Sequence, residues 1–229
     1  MSRWGMVIDL NRCVGCEACT VACKAENFTT GGVSWLRIVK AETGKFPNVK
    51  RHPFPLQCQH CENAPCVDVC PTHATYIRDD GIVAVDYDKC VGCRYCVVAC
   101  PYGARTFDED MHTQYPDKTV FEEFGDKLPA HPDATRALPA KHQLGVVEKC
   151  VFCVQKIDAG LAAGLTPGVD ADATPACVVT CVAECRTFGD LDDPNSKVSR
   201  MIASAGAFRF HEEYGTNPRI YYLPVRRVD

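Results

Sequence analysis

The stretch 90–101, CVGCRYCVVACP, decides how this chain folds, because its cysteines follow the spacing C-x2-C-x2-C-x3-C and a proline comes next. Three cysteines within seven residues can surround three corners of one small inorganic cluster, while the fourth points away from it. The short loop also directs backbone N–H groups at the sulfur atoms. The spacing therefore predicts a cluster-binding loop whose last cysteine serves a second site.

The same pattern occurs four times along the 229 residues. The second quartet has four residues in its middle gap, and in the fourth quartet that gap has grown to 23 residues. The quartets use 16 of the 17 cysteines and leave Cys185, which stands where two other repeats have Ala74 and Ala104. We therefore predict that Cys181 is a ligand and that Cys185 packs as a small apolar residue. The quartets are Cys13, Cys16, Cys19 and Cys23; Cys58, Cys61, Cys66 and Cys70; Cys90, Cys93, Cys96 and Cys100; and Cys150, Cys153, Cys177 and Cys181.

Short apolar stretches at 6–8, 82–85 and 146–147 precede three of the quartets and predict strands that lead into the first cysteine. The run 219–223 predicts another strand, in a C-terminal tail that we expect to cover the core. Segment 108–144 is proline-rich and has eight acidic against four basic residues, which is typical of a long surface loop. Together these features predict an α+β fold with loop insertions.

The composition excludes several classes of protein. A net charge of −4 lacks the basic surplus of a nucleic-acid-binding protein. No apolar run approaches the roughly 18 residues of a membrane span, and the N-terminus leads into a strand without the pattern of a signal peptide. We therefore expect any export or membrane attachment to come from a partner. Disulfide frameworks belong mostly to smaller secreted chains, so the cysteine content indicates metal ligation.

We interpret the quartets as sites for four [4Fe–4S] clusters. Structural zinc sites pair two distant C-x2-C knuckles and would leave cysteines of the triplets unused; a cysteine-rich zinc scaffold is the alternative from the class of binding proteins. His60 and His73 lie in and just after the second quartet, where we expect surface or packing roles. A basic residue precedes the first cysteine of three quartets, either as a solvated charge or as a partial neutraliser of the cluster. These residues are Arg12, Lys89 and Lys149.

Exchange of the fourth cysteine, as in two-cluster bacterial ferredoxins, pairs the quartets. Residues 56–110 then form an inner ferredoxin unit, inserted in an outer unit made of 1–55 and 145–229, with 111–144 as an insertion loop. The four expected ligand sets are Cys58, Cys61, Cys66 and Cys100; Cys90, Cys93, Cys96 and Cys70; Cys13, Cys16, Cys19 and Cys181; and Cys150, Cys153, Cys177 and Cys23.

Over nearly its whole length the chain resembles the four-cluster iron–sulfur subunit of complex iron–sulfur molybdoenzymes. The resemblance is to the dimethyl sulfoxide, polysulfide, thiosulfate, tetrathionate and arsenate reductase branch. One departure is Val182, where the family commonly has proline. The resemblance rests on MVIDL at 6–10 before CVGC at 13–16, CENAPC at 61–66, CPYGAR at 100–105, PAC at 175–177 and FGDLDDP at 188–194.

The resemblance implies a redox subunit that is not catalytic on its own. It would relay electrons between a quinone-linked membrane anchor and a molybdopterin catalytic subunit of a respiratory oxidoreductase. It also implies attachment to the membrane through these partners, with the periplasmic face, reached by co-export, favoured over the cytoplasmic face. The electron-transfer subunit of a formate dehydrogenase or hydrogenase is the alternative. The sequence specifies neither the terminal substrate nor the direction of electron flow.

Overall fold

The computed structural model describes residues 2–27, 29, 33–107, 145–204 and 206–225. Helices and strands are mixed along the chain, as predicted, and the expected insertion loop at 111–144 lies outside the described residues. The helices are α1 (Ala18–Asn27), α2 (Pro65–Asp68), α3 (Tyr95–Ala99), α4 (Val154–Ala162), α5 (Ala176–Val179) and α6 (Lys197–Ser204). The strands are β1 (Trp4–Asp9), β2 (Leu36–Thr43), β3 (Lys50–Gln57), β4 (Thr75–Ile77), β5 (Val83–Val85), β6 (Thr106–Phe107), β7 (Val147–Glu148), β8 (Arg186–Asp190), β9 (Phe208–Arg209) and β10 (Ile220–Leu223).

The largest sheet among the described residues has four strands in the order β8-β1-β10-β9. β1 pairs antiparallel with β8 and parallel with β10. Met6 and Ile8 belong to the largest apolar core, while Val7, between them, packs with Val198 of α6 on the other face. The side chains of Met6, Val7 and Ile8 are all fully buried. This explains why the stretch 6–8 is continuously apolar rather than alternating.

The predicted C-terminal strand is present as β10, and it is an internal member of this sheet as well as part of the tail that we expected to cover the core. Met6 pairs with Ile220 and Ile8 with Tyr222. Ile220 and Tyr222 are fully buried, and the Tyr222 hydroxyl donates to the Pro55 carbonyl oxygen at 3.0 Å. The apolar pattern predicts the strand itself, but its partner lies at the opposite end of the sequence.

The repeat also governs how the short strands pair. The strand after the second quartet, β4, pairs with β5 before the third, and β6 after the third pairs with β7 before the fourth. β8, which follows the fourth quartet, pairs with β1 before the first. The three strands predicted ahead of the quartets are thus present as β1, β5 and β7. The pairing of β1 with β8 brings the first and last quartets side by side.

A separate antiparallel hairpin of β2 and β3 leads into the second quartet, since β3 ends at Gln57 directly before Cys58. Leu36 and Leu56 are buried at its base, whereas the far end from Lys40 to Arg51 is exposed. No helix within the described ranges is both long enough and apolar enough to cross a bilayer.

Candidate metal centres

The four C-x2-C loops share one backbone conformation. In each loop the residue before the second cysteine has a positive φ, and so does the residue three places after the last cysteine in three quartets. Left-handed residues of this kind turn successive N–H groups to one side and form a concave site that suits an anion. The first set is Gly15, His60, Gly92 and Phe152, and the second is His73, Gly103 and Glu184.

Cysteines of the first and last quartets line one cavity. Cys13, Cys16 and Cys19 stand with Cys181, around about 320 Å³ of empty space that is partly open to solvent. Cys16 is exposed and Cys19 is buried, so the cavity runs from the surface inward. We call it the Cys16 cavity. Cys23, the fourth cysteine of the first quartet, does not line it.

A second cavity has the same construction. Cys90, Cys93 and Cys96 stand with Cys70 of the preceding quartet, again around about 320 Å³. Cys93 is exposed and Cys96 is buried. We call this the Cys93 cavity. In both cavities, therefore, a triplet is completed by the last cysteine of a different quartet.

The remaining eight cysteines of the quartets form two groups that are largely buried. In the Cys153 group, the Asn27 side-chain amide lies 3.7 Å from the Cys23 sulfur and 3.6 Å from the Cys153 sulfur. Burial and the neighbouring thiol Cys177 raise the pKa of Cys153 to about 12, and burial and the thiols Cys150, Cys177 and Cys153 raise that of Cys23. The group comprises Cys23, Cys150, Cys153 and Cys177.

The Cys61 group is assembled in the same way from the second and third quartets. Burial raises the pKa of Cys61 to about 12, and the nearby thiols of Cys58, Cys66 and Cys100 contribute to the rise. Cys100 thus stands with the triplet of the quartet before its own. The structure brings together the cysteines of all four expected sets.

Cys185 is a fifth cysteine at the Cys16 cavity. It is buried, as predicted, but it also lines the cavity, with its sulfur 3.4 Å from that of Cys181. Its backbone N–H donates to the Cys181 sulfur at 3.3 Å. A hydrogen bond from Cys185 is the main reason that the pKa of Cys13 is lowered to about 6.

Three buried cations lie between successive cysteine groups. Arg186 lines the Cys16 cavity, with Nη1 3.9 Å from the sulfur of Cys177 in the Cys153 group. Arg105 lines the Cys93 cavity, and although burial opposes its ionisation, the thiols led by Cys66 in the Cys61 group raise its pKa. Lys149 is fully buried between the Cys61 and Cys153 groups, where its ammonium donates to the carbonyl oxygens of Val83 and Cys150.

Sequence reasoning missed the two arginines, although the repeated Arg-Thr-Phe at 105–107 and 186–188 was a signal. The basic residues before the quartets divide into two kinds. Arg12 and Lys89 are exposed and pair with the carboxylates of Glu184 and Asp86, so they are solvated charges. Lys149 alone among these three is buried.

His60 joins the Cys61 group to the Cys153 group by packing. Its ring stacks on Phe152 with centroids 3.7 Å apart, and Nδ1 accepts a hydrogen bond from the Val83 N–H at 3.1 Å. Burial and the nearby Lys149 hold the pKa of His60 well below its usual range. The ring is therefore neutral, and because Nδ1 is an acceptor its proton is on Nε2. The packing role was expected, whereas a surface position is excluded by complete burial.

Comparison with known proteins identifies the family. A model described as a 4Fe-4S dicluster domain matches residues 49–119, which contain the second and third quartets. A model described as a 4Fe-4S binding domain matches residues 4–25, which contain the first.

Among the relatives that match nearly the whole chain are three subunits of reductases or dehydrogenases. A selenate reductase subunit of Mesobacillus selenatarsenatis is 43% identical, over 96% of this chain and 72% of its own. The arsenate respiratory reductase iron–sulfur subunit of Shewanella sp. is 37% identical, over 96% of both chains. A sulfite dehydrogenase subunit of Allochromatium vinosum is 39% identical, over 100% of this chain and 85% of its own.

The chain belongs to the family of iron–sulfur electron-transfer subunits of molybdoenzyme-type reductases. As a member of this family it is a non-catalytic subunit that serves anaerobic respiration. The family resemblance given by the sequence motifs is thereby confirmed. The relatives are named for different substrates, so the likeness alone does not select one.

The residues fit the family's [4Fe–4S] cofactor by an observation independent of the comparisons. Within the described part of the chain, buried nitrogens of Arg105, Arg186 and His60 have no hydrogen-bond partner: Nε and Nη2 of each arginine and Nε2 of the histidine. Unpaired buried donors are costly and call for a missing acceptor. In the same ranges no three His, Cys, Asp or Glu residues converge closely enough for a single metal ion. Sets of four cysteines beside unpaired cationic donors suit a polynuclear anionic cluster.

Proposed function

We propose that the chain holds four [4Fe–4S] clusters and relays electrons between a quinone-linked membrane subunit and a molybdopterin catalytic subunit. The observation that carries this proposal is the crossing of cysteines between quartets. Cys181 lines the Cys16 cavity and Cys70 lines the Cys93 cavity, while Cys23 and Cys100 lie in the two buried groups. Each of the four sets then supplies four thiolates to one cluster, as a two-cluster ferredoxin does.

The order of the cysteine groups supports a linear relay. Arg105 stands between the Cys93 cavity and the Cys61 group, Lys149 between the Cys61 and Cys153 groups, and Arg186 between the Cys153 group and the Cys16 cavity. The two middle groups are largely buried and the two end cavities each contain one exposed cysteine. A row with accessible ends and a covered middle suits a subunit that exchanges electrons with two different partners.

The clusters, when bound, supply one-electron reduction and oxidation, and the protein does the rest. Its cysteines fix each position, and its core excludes water from the Cys61 and Cys153 groups. Buried arginine and lysine side chains lie beside the cysteine groups and set the local electrostatics. In this proposal residues 56–110 are the inner ferredoxin unit and 1–55 with 145–229 the outer one.

We further propose that the complex reduces or oxidises a sulfur compound or an oxyanion such as arsenate, at the membrane and on the periplasmic face. Support comes from the family to which the chain belongs and from the names of its relatives, among them selenate and arsenate reductases.

The proposed relay is tested on the complex, purified anaerobically with its partner subunits. Reduction by a quinol analogue, followed by electron paramagnetic resonance, should yield four reduced clusters per chain, and the catalytic subunit's substrate should reoxidise them. A matched preparation without the membrane subunit should be reduced by dithionite but not by the quinol. Fewer than four reducible clusters, or clusters that the substrate does not reoxidise, would contradict the proposal.

A further inference from the structure

Two arginines occupy the same position in two copies of the repeat. Arg105 lies five residues after Cys100, and Arg186 lies five residues after Cys181. Each begins or directly precedes the strand that follows its quartet. The second quartet has Thr75 at this position, and Thr75 Oγ1 accepts a hydrogen bond from Arg105 Nη1 at 3.2 Å. There is thus one arginine for each pair of cysteine groups.

Arg186 is held between the Cys16 cavity and the Cys153 group. It lines the first, and Nη1 donates to Gln57 Oε1 at 2.8 Å while lying 3.9 Å from the Cys177 sulfur. Only 4% of the residue is exposed. The strand pairing of β8 with β1 fixes its backbone, so the guanidinium has little freedom to leave this place.

Arg105 has the equivalent place in the inner unit. It lines the Cys93 cavity and lies beside the Cys66 and Cys58 thiols of the Cys61 group. Only 5% of the residue is exposed. As in Arg186, Nε and Nη2 lack a hydrogen-bond partner among the described residues.

Neither arginine forms an ion pair with a carboxylate in the described part of the chain. A guanidinium does not lose its proton in proteins, so both side chains are charged. A buried charge without a counter-ion is strongly destabilising, because water no longer solvates it. The negative charge that balances each arginine must therefore come from the groups bound by the cysteines on its two sides.

We propose that Arg105 and Arg186 are shared counter-ions, each raising the reduction potentials of both clusters in its own ferredoxin unit. This inference rests on the proposed function. Each electron added to a cluster adds negative charge beside a fixed buried cation, and the attraction is strong where water is excluded. The attraction offsets the repulsion between two neighbouring anionic clusters. Both clusters of a unit are thereby kept reducible by the same donor.

The test compares Arg105→Gln and Arg186→Gln with Arg105→Lys and Arg186→Lys in the full chain within its complex. Iron and sulfide are measured, and an anaerobic redox titration followed by electron paramagnetic resonance resolves the four clusters. Arg105→Gln should lower both potentials of the inner unit and change the outer unit little, and Arg186→Gln should do the reverse. The lysine variants keep the charge and should keep potentials close to those of the unchanged chain.

The results distinguish failure of the counter-ion role from failure of the proposed electron relay. Unchanged potentials in a glutamine variant that retains all four clusters would overturn the counter-ion role and leave the relay intact. An unaltered chain with fewer than four clusters would instead overturn the relay. A glutamine variant that fails to load its unit while the lysine variant loads it supports the counter-ion role. If the glutamine and the lysine variant both fail to load their unit, the counter-ion role is contradicted. The site would then require the shape of the arginine side chain and not its charge.

Discussion

Cys181 and Cys185 lie in contact at the Cys16 cavity, yet we assign only Cys181 as a ligand. The repeat is the reason, since Ala74 and Ala104 occupy the position of Cys185 in the second and third copies. Ala74 lines the Cys93 cavity just as Cys185 lines the Cys16 cavity, and the Cys93 cavity has its four cysteines without it. Sequence reasoning could rank the two thiols in this way, but it could not foresee that they touch.

We predict that Cys185→Ala keeps about 16 iron atoms per chain, the content of four intact clusters. Cys181→Ala should lose iron from the cluster at the Cys16 cavity, since alanine removes a ligand there. Iron and sulfide analysis of the two variants, purified in parallel without oxygen, makes the comparison. Loss of iron in Cys185→Ala with full content in Cys181→Ala would mean that the two assignments must be exchanged.

A second residue-scale prediction concerns His60, which is fully buried against Phe152. His60→Ala removes the stacked ring and leaves the Val83 N–H without its acceptor, at a cost of about 3 kcal/mol. The rate at which visible cluster absorption disappears in urea should rise at least about tenfold. His73→Ala alters an exposed histidine just after the same quartet and should leave the rate nearly unchanged. Equal rates of absorption loss in the two variants would show that the stacking of His60 on Phe152 does not stabilise the protein.

At the scale of elements, the cysteine spacing predicts the loops but not their full conformation. Gly15 and Gly92 mark left-handed positions that a sequence can signal, since glycine adopts positive φ readily. His60 and Phe152 adopt the same conformation against their preference, at a cost of roughly 1–2 kcal/mol each. Their rings stack on each other although the two residues are distant in sequence, and no local pattern reveals this compensating contact.

Gly92 offers the sharpest test of the loop conformation. A Cβ there would lie 2.0 Å from the Gly145 carbonyl oxygen, in addition to the strain at a φ of 67°. We expect Gly92→Ala to lose the cluster at the Cys93 cavity, as judged by iron content. Gly164→Ala is the matched control, because Gly164 also has positive φ but nothing lies within 4 Å of its Cβ position. Full iron content in Gly92→Ala would contradict the assigned backbone conformation.

At the scale of the whole molecule, the sequence predicted the repeat, the strands ahead of three quartets and the four sets of cysteines that come together. It did not predict that β10 lies inside the sheet, because an apolar run does not say which distant strand it pairs with. Nor did it predict that Arg105 and Arg186 are buried, and for Lys149 it left a solvated charge and a neutraliser of the cluster as alternatives, because burial depends on tertiary contacts. Features that recur in each copy of the repeat could be predicted from the sequence. Features that depend on contacts between the copies could not.

The central position of β10 gives a prediction for overall stability. Ile220→Ala, at a fully buried site paired with Met6, should destabilise the protein by about 2–5 kcal/mol. Val225→Ala, just beyond the strand and exposed, should change stability by less than about 0.5 kcal/mol. Urea concentrations at which cluster absorption is lost compare the two variants. Similar urea concentrations for the two variants would mean that β10 does not contribute to the stability of the sheet.

The most direct test of the proposal that the chain holds four [4Fe–4S] clusters is the metal and sulfide content of the full chain, isolated without oxygen. We predict about 16 iron atoms and about 16 acid-labile sulfides per chain, with no stoichiometric zinc. Zinc without sulfide, or iron for only two clusters, would contradict the account.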